Sequence, residues 1–236
     1  MVKSGAQQVG NKSPHNRPPG LSRRSVNNAL ALGLAAGASA PVSAFARMIT
    51  PSQVEGPFYP IDADTEHDVD LTRLEGHSEA ATGEHILVRG VVSGADGAVL
   101  PGAVVDIWQA NHHGRYSHPR DPNTAPLDPD FQGWGIMRTS EAGAYGFRTI
   151  KPGAYPLSFL GASGWRCRHI HFKVSCPGYR ALTTQMYFEG DPLIAQDFEI
   201  ARAPKESRHL LIASATPDEE SGLLLYRFDI ILAPEG

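Results

Sequence analysis

The sequence predicts an all-β fold, an antiparallel β-sandwich with long active-site loops. Three observations carry this. Glycine and proline number 24 and 19 in 236 residues, which suits many turns and short strands rather than a helix bundle. Alternating, β-branched runs recur between turn signals, and no amphipathic helical run of useful length competes with them. Hydrophobic residues make up 41% and charged residues 19% of the chain, a globular composition.

The elements follow in order. Residues 86–92 alternate and are β-branched, and Gly94-Ala95-Asp96-Gly97 is an Asp-Gly turn signal. Residues 104–109 form the next strand. Ser140-Glu141-Ala142-Gly143 turns the chain into a strand over 145–150. Strands over 169–175, 182–188 and 223–232 complete a set of at least six, at spacings that suit a sandwich. Residues 47–85 and 110–135 are rich in Pro, Gly, Asp and His, and loops of that length in a compact domain are usually functional or disordered. The organisation expected is an export signal over 1–46, an N-terminal arm over 47–85 and a sandwich domain over 86–236.

Charge is unevenly placed. Residues 1–54 hold Lys3, Lys12, Arg17, Arg23, Arg24 and Arg47 but no acid, so the acidic excess falls entirely on the rest of the chain. That balance argues against nucleic acid or anionic lipid as partner, because both require a basic surface. Ser22-Arg23-Arg24-Ser25-Val26 precedes an apolar stretch over 29–40, and Ala44-Phe45-Ala46 offers an A-x-A cleavage site. The stretch is too short for a spanning helix. The paired arginines resemble a twin-arginine signal, with Asn27 and Asn28 departing from its usual pattern. A periplasmic or secreted protein is expected. Cys167 and Cys176 flank a strand-like run, which at about 3.3 Å per residue holds them roughly 30 Å apart, too far for a disulfide.

The sharpest chemical feature is Arg166-Cys167-Arg168-His169-Ile170-His171-Phe172. Residues i and i+2 of a strand share a face, so His169 and His171 project together while Ile170 and Phe172 point the other way. Two imidazoles on one face suit the edge of a metal site. No thiolate sits at ligand spacing, and His112, His113 and His118 read either as a further ligand source or as a solvated polar loop. Tyr116 and Tyr155 each follow a predicted strand; taken alone, each is a partly buried aromatic with a hydrogen-bonded hydroxyl.

With these residues in view, the chain resembles the intradiol ring-cleaving catechol dioxygenases, the protocatechuate 3,4-dioxygenase type in particular. The similar stretches are Glu55-Gly56-Pro57-Phe58-Tyr59-Pro60, residues 106–116 (DIWQANHHGRY), 125–130 (APLDPD), 147–156 (FRTIKPGAYP), 165–172 (WRCRHIHF) and 184–193 (TQMYFEGDPL), in the family's order. The resemblance implies a mononuclear non-haem Fe(III) held by Tyr116, Tyr155, His169 and His171, with Tyr155 and His171 axial. Phenolate oxygen is a hard anionic donor suited to ferric iron, and the metal's charge drives both phenols to deprotonate. The implied reaction cleaves a catecholic ring with O2 between its hydroxyl-bearing carbons to a cis,cis-muconate-type dicarboxylate, with Tyr155 acting as ligand and base. The resemblance further implies that Arg166 stabilises charge developing on the ring and that Gln185 assists in positioning oxygen or the cyclised product. Trp108 reads as core, Glu189 and Asp191 as turn residues, and residues 55–59 as an arm over the pocket or a subunit contact.

Leu157 follows Tyr155-Pro156 where protocatechuate enzymes carry a Trp, which leaves room in the pocket and argues against strict protocatechuate specificity. Arg168 alternates with His169 and is expected to face away from the metal. The partners expected are a small catecholic substrate and O2, with a homo-oligomer compatible. Two rival readings remain. Residues 89–105 with 143–152 also resemble a transthyretin-like or carboxypeptidase-regulatory sandwich, a periplasmic binding module without catalysis. A zinc hydrolase would use His169, His171 and one loop histidine.

Overall fold

The computed structural model describes residues 47–61 and 67–236, which belong to one compact unit. The export signal expected over 1–46 lies outside the described residues. Among the described residues, twelve strands follow in chain order: β1 (His85–Gly94), β2 (Val104–Trp108), β3 (Trp134–Arg138), β4 (Ala144–Ile150), β5 (Tyr155–Pro156), β6 (Trp165–Arg166), β7 (His169–Ser175), β8 (Leu182–Phe188), β9 (Ile212–Ala213), β10 (Ala215–Pro217), β11 (Leu224–Arg227) and β12 (Ile230–Leu232). One short α-helix, α1 (Phe198–Arg202), lies between β8 and β9, with single 3-10 turns on either side of it and after β5. No helix among the described residues is long and apolar enough to cross a membrane.

The strands make two five-stranded sheets and a small ribbon. The first sheet runs β10-β11-β1-β12, with β4 also on β1; the second runs β3-β2-β7-β8-β9; β5 and β6 pair alone. Phe172 of β7 reaches across to Phe228 (4.9 Å between ring centroids) and Phe147 (6.0 Å), and Phe188 of β8 meets Tyr226 (4.9 Å). Ile86, Val88, Val105, Ile107, Ile170, Val174 and Met186 fill the same core with almost no exposure. Each such side chain contributes about 1.5–3 kcal/mol by leaving water.

The sandwich is as expected, but its pairing is mixed. β11 and β12 both run parallel to β1, as β9 does to β8. The single strand expected over 223–232 is therefore two. The break falls at Phe228-Asp229, where the Phe228 N–H donates to Arg89 O (2.9 Å) and the Asp229 carboxylate accepts the Val91 N–H (2.9 Å). A side chain takes over one rung of the ladder, and the register resumes at Val92 and Ile230. Cys167 and Cys176 are both unpaired, as their spacing requires.

What positions the site is the second sheet's outer face. Odd-even alternation sends Ile170, Phe172 and Val174 inward and leaves His169 and His171 outward. Trp108 lies opposite His171 on β2, and Gln185 lies opposite it on β8. An outer face would ordinarily meet water. Here it is roofed by the arm, by the loops after β2 and β4, and by the segment after β8, so His169, His171, Gln185 and Trp108 are all buried. The arm is stitched down by Gln53 N–H to Thr183 O (2.8 Å) and by Thr184 Oγ1 to Pro51 O (2.8 Å).

Candidate metal centre

Tyr116 reaches the histidine pair through a loop organised by Asn111. The Asn111 side-chain oxygen accepts the N–H groups of His113 (2.9 Å) and Arg115 (3.1 Å), and its amide donates to Pro126 O (2.9 Å). Asp121 then accepts the Tyr116 N–H (2.7 Å). Tyr155 arrives by a second loop, and the two loops touch backbone to backbone. The N–H groups of Gly114 (3.0 Å) and Gly153 (2.9 Å) both donate to Asn111 O. Gly114 has φ +79°, and a Cβ there would come within 2.5 Å of Ala154 O; one on Gly153 would run into Gly114 N and His112 O. Only glycine permits both the conformation and the approach.

The donor atoms converge. Tyr116 Oη lies 3.2 Å from His169 Nε2 and 3.1 Å from His171 Nε2. The Tyr155 ring packs edge-on to Tyr116 (5.9 Å) and against His169 (5.7 Å), and the two imidazoles are 4.9 Å apart. His169 Nδ1 lies 2.6 Å from Cys167 O. A carbonyl only accepts, so Nδ1 carries the proton and Nε2 presents a bare lone pair. His171 Nδ1 is buried without a partner. Burial holds both imidazoles well below the usual histidine range, with Arg166 and, for His171, His169 adding to the effect. Burial likewise pushes both phenols above their ordinary value, partly offset at each by Arg166.

Neutral, lone-pair-rich groups thus face one another. With its proton on Nδ1, His171 leaves that N–H unpaired and Tyr116 has one proton for two Nε2 atoms; with its proton on Nε2, Nδ1 is left as a buried lone pair, so either tautomer leaves a ring nitrogen unmatched. A multivalent cation resolves this, since it binds lone pairs and drives the phenols to ionise. Two phenol oxygens with two imidazoles form a hard-to-borderline set that fits a ferric ion.

The zinc-hydrolase expectation fails. Among the described residues, no group of three or more His, Cys, Asp or Glu is placed to hold a metal. His118 packs against Phe58 (5.8 Å) with its Nδ1 accepting the Arg120 N–H, and His112 and His113 face each other.

Arg166 lies beside Tyr155 across the β5–β6 ribbon. It is 5% exposed, with Nε donating to Asp197 (2.9 Å) and Nη2 to Gln185 Oε1 (2.5 Å). Gln185 is held at both ends of its amide: Oε1 also lies 3.1 Å from the Tyr187 hydroxyl, and Nε2 donates to Val54 O (2.9 Å). Arg168 turns away to Asp191 (3.3 Å), which also accepts the Arg168 and Leu193 N–H groups. Trp108 is buried and stacks on His171. The arm packs over the centre: Gly56 lies against His171, Phe58 meets Tyr116 (5.1 Å), and Tyr59 meets Trp108 edge-on (4.9 Å). A cavity of about 860 Å³ opens beside this cluster. It borders Trp108 and Tyr116 but is not lined by Tyr155, Arg166, His169 or His171. Sequence reasoning missed Asp197 and Tyr187; for Asp197 a faint signal existed, an Asp at the start of the short helical run 198–202.

Residues 54–234 match the family model described as dioxygenase. The chain is 43% identical over 168 residues to the protocatechuate 3,4-dioxygenase beta chain of Burkholderia cepacia, covering 70% of this chain and 71% of that one. It is 40% identical over 162 residues to catechol 1,2-dioxygenase 1 of Acinetobacter lwoffii, covering 64% of this chain but only 50% of that one. The structure of 3-chlorocatechol 1,2-dioxygenase from Rhodococcus opacus 1CP superposes with a TM-score of 0.62 at 28% identity, covering 82% of this chain and 76% of that one. Nothing in these similarities supports the non-catalytic binding module.

Proposed function

The chain belongs to this dioxygenase family, and we propose that it opens a catecholic ring between its two hydroxyl-bearing carbons, adding both atoms of O2 to give a cis,cis-muconate-type dicarboxylate. The observation that carries the reading is the meeting of Tyr116 Oη with the Nε2 atoms of His169 and His171 beside the Tyr155 ring.

In this reading Tyr116, Tyr155, His169 and His171 hold a ferric ion. When bound, such an ion would supply Lewis acidity and a redox centre for the catecholic substrate. The remaining work belongs to side chains. Tyr155 takes one of the two catechol protons at its Oη, serving as base as well as ligand. Arg166, its neighbour across the ribbon, places a fixed positive charge against the charge developing on the ring; such preorganised electrostatics are often the largest catalytic contribution. Gln185 supports that guanidinium through its side-chain oxygen, and through it the positioning of oxygen or the cyclised product. The arm, with Gly56 against His171 and Phe58 against Tyr116, excludes water from the donors. Leu157, buried in the turn after β5 at the position where protocatechuate enzymes carry a Trp, argues against strict protocatechuate specificity. The Arg23-Arg24 segment supports export of the folded, metal-loaded chain.

Oxygen uptake by the iron-loaded protein tests the reading, across catechol, 4-substituted catechols, protocatechuate and hydroxyquinol with products identified by mass. Muconate-type products are expected from at least one; cleavage outside the diol, or no uptake with any of them, overturns it.

A further inference from the structure

We propose that Asp197 is a positioning residue for ring cleavage: its carboxylate fixes the orientation in which the Arg166 guanidinium meets the bound ring. The inference rests on the function proposed above and extends it to a residue outside every motif of the chain.

Asp197 has no exposed surface, and both of its oxygens are used. Oδ1 caps α1, accepting the N–H groups of Glu199 (2.9 Å) and Ile200 (3.4 Å). Oδ2 accepts Arg166 Nε (2.9 Å) and the Cys167 N–H (2.9 Å). A helix cap alone needs only Oδ1 and is served about equally well by Asn or Ser. The second oxygen therefore needs a separate account, and stability is a poor one. Burying an ion pair costs desolvation that its Coulomb attraction often fails to exceed.

Orientation is the better account. A guanidinium is planar, with its donors in a rigid fork. Here Nε is held by Asp197, Nη2 is held by Gln185, and the central carbon lies 5.7 Å over the Phe198 ring centroid. Two acceptors at different points of a planar fork fix both the position and the plane of the group. The second acceptor is itself packed against the arm: Tyr187 gives its one hydroxyl proton to Gln53 Oε1 (2.5 Å), with Gln185 Oε1 3.1 Å from the same oxygen, Gln185 Nε2 donates to Val54 O (2.9 Å), and Gln53 Nε2 donates to Glu199 O (3.0 Å). The arm, β8 and α1 thus meet around one cation. Its charge is set in place before substrate arrives, which is what transition-state electrostatics require.

Asp197→Asn and Asp197→Ser test this, because both retain a good cap and remove the charged acceptor. Expected is a fall in kcat of about tenfold to 100-fold with KM, iron content and the visible absorption of the loaded protein little changed. In an Arg166→Ala background the same substitutions should cost no more than about twofold, since there is no guanidinium left to orient. Millimolar guanidinium should partly restore Arg166→Ala, but not Arg166→Ala with Asp197→Asn. Arg166→Lys keeps the buried charge pair while losing the fork, so it checks the idea even if the Asp197 variants fail to fold; it should lose at least tenfold in kcat. Wild-type kcat in Asp197→Asn or in Arg166→Lys, or an Asp197 effect equal with and without Arg166, overturns the proposal. An iron-loaded wild type that cleaves no catechol overturns the function and this proposal together, a result distinct from the others.

Discussion

The indole of Trp108 stacks on the imidazole of His171, with ring centroids 4.7 Å apart and planes 11° from parallel. His171 Nδ1 has no hydrogen-bond partner, so in the proposed metal centre this stack would take the place of the usual second bond that fixes a ligand imidazole. Trp108→Ala should cost about 3–5 kcal/mol of stability by denaturant unfolding. It should also weaken iron binding by about tenfold or more, read by equilibrium dialysis.

Tyr116→Phe and Tyr155→Phe each delete one oxygen and leave the ring packing intact. Both variants should fold with stability close to wild type, because each hydroxyl is buried among groups it satisfies incompletely. Tyr116→Phe should abolish iron retention and visible colour. Tyr155→Phe should alter the charge-transfer band and reduce turnover to background, even with iron supplied in excess. Retained colour and activity in both would remove the phenols from the centre.

Asp106 accepts hydrogen bonds from Tyr59 (2.6 Å) and Trp134 (2.8 Å), yet burial raises its carboxyl above the ordinary carboxylate range. A raised value means that the folded state disfavours the charged form. The favourable contribution is complete below the unfolded value of about 3.9 and is lost as pH rises through the folded one. Asp106→Asn should therefore gain on wild type as pH climbs from about 4 toward neutrality. Urea unfolding at pH 4 and pH 7 measures the crossover, and an unchanged difference between the two conditions would contradict it.

Gly153→Ala should disturb the two tyrosine loops together, because the added methyl group collides with Gly114 N and His112 O. Gly114→Ala adds backbone strain at φ +79°, costing about 1–3 kcal/mol. Both should lower iron affinity while leaving the inter-sheet core intact, as near-ultraviolet circular dichroism at low temperature would show.

Replacing Arg23 and Arg24 by Lys should leave the purified catalytic chain unaffected and stop export. Fractionation and immunoblotting in a bacterial host would then find the precursor in the cytoplasm; unchanged export would remove the twin-arginine assignment.

The strands over 169–175 and 182–188 were legible to the residue, because β-branched and apolar side chains recur along them with period two, even though both faces end up covered. The convergence of Tyr116 with His169 and His171 was legible only through motif resemblance, since no local pattern says that loops over 110 and 155 meet. β3 escaped notice because Trp134-Gly135-Ile136-Met137-Arg138 follows a Pro- and Asp-rich loop and breaks its alternation with glycine. The parallel pairing of β11 and β12 with β1 could not be read locally, as it depends on partners more than 130 residues away, such as Ile86 and Leu224. Asp197 was hidden for the same reason: its role comes from Arg166, which lies 31 residues earlier, and its own neighbourhood marks it only as a helix cap.

β7 keeps two incompatible jobs on one strand, with His169 and His171 on one side and Ile170 and Phe172 on the other. A slip of one residue would hand the imidazoles to hydrocarbon and the hydrocarbon to the donors. The strand therefore has no tolerable neighbouring alignment, and catalytic competence doubles as proofreading: a molecule that turns over substrate has, by that fact, assembled its interior correctly.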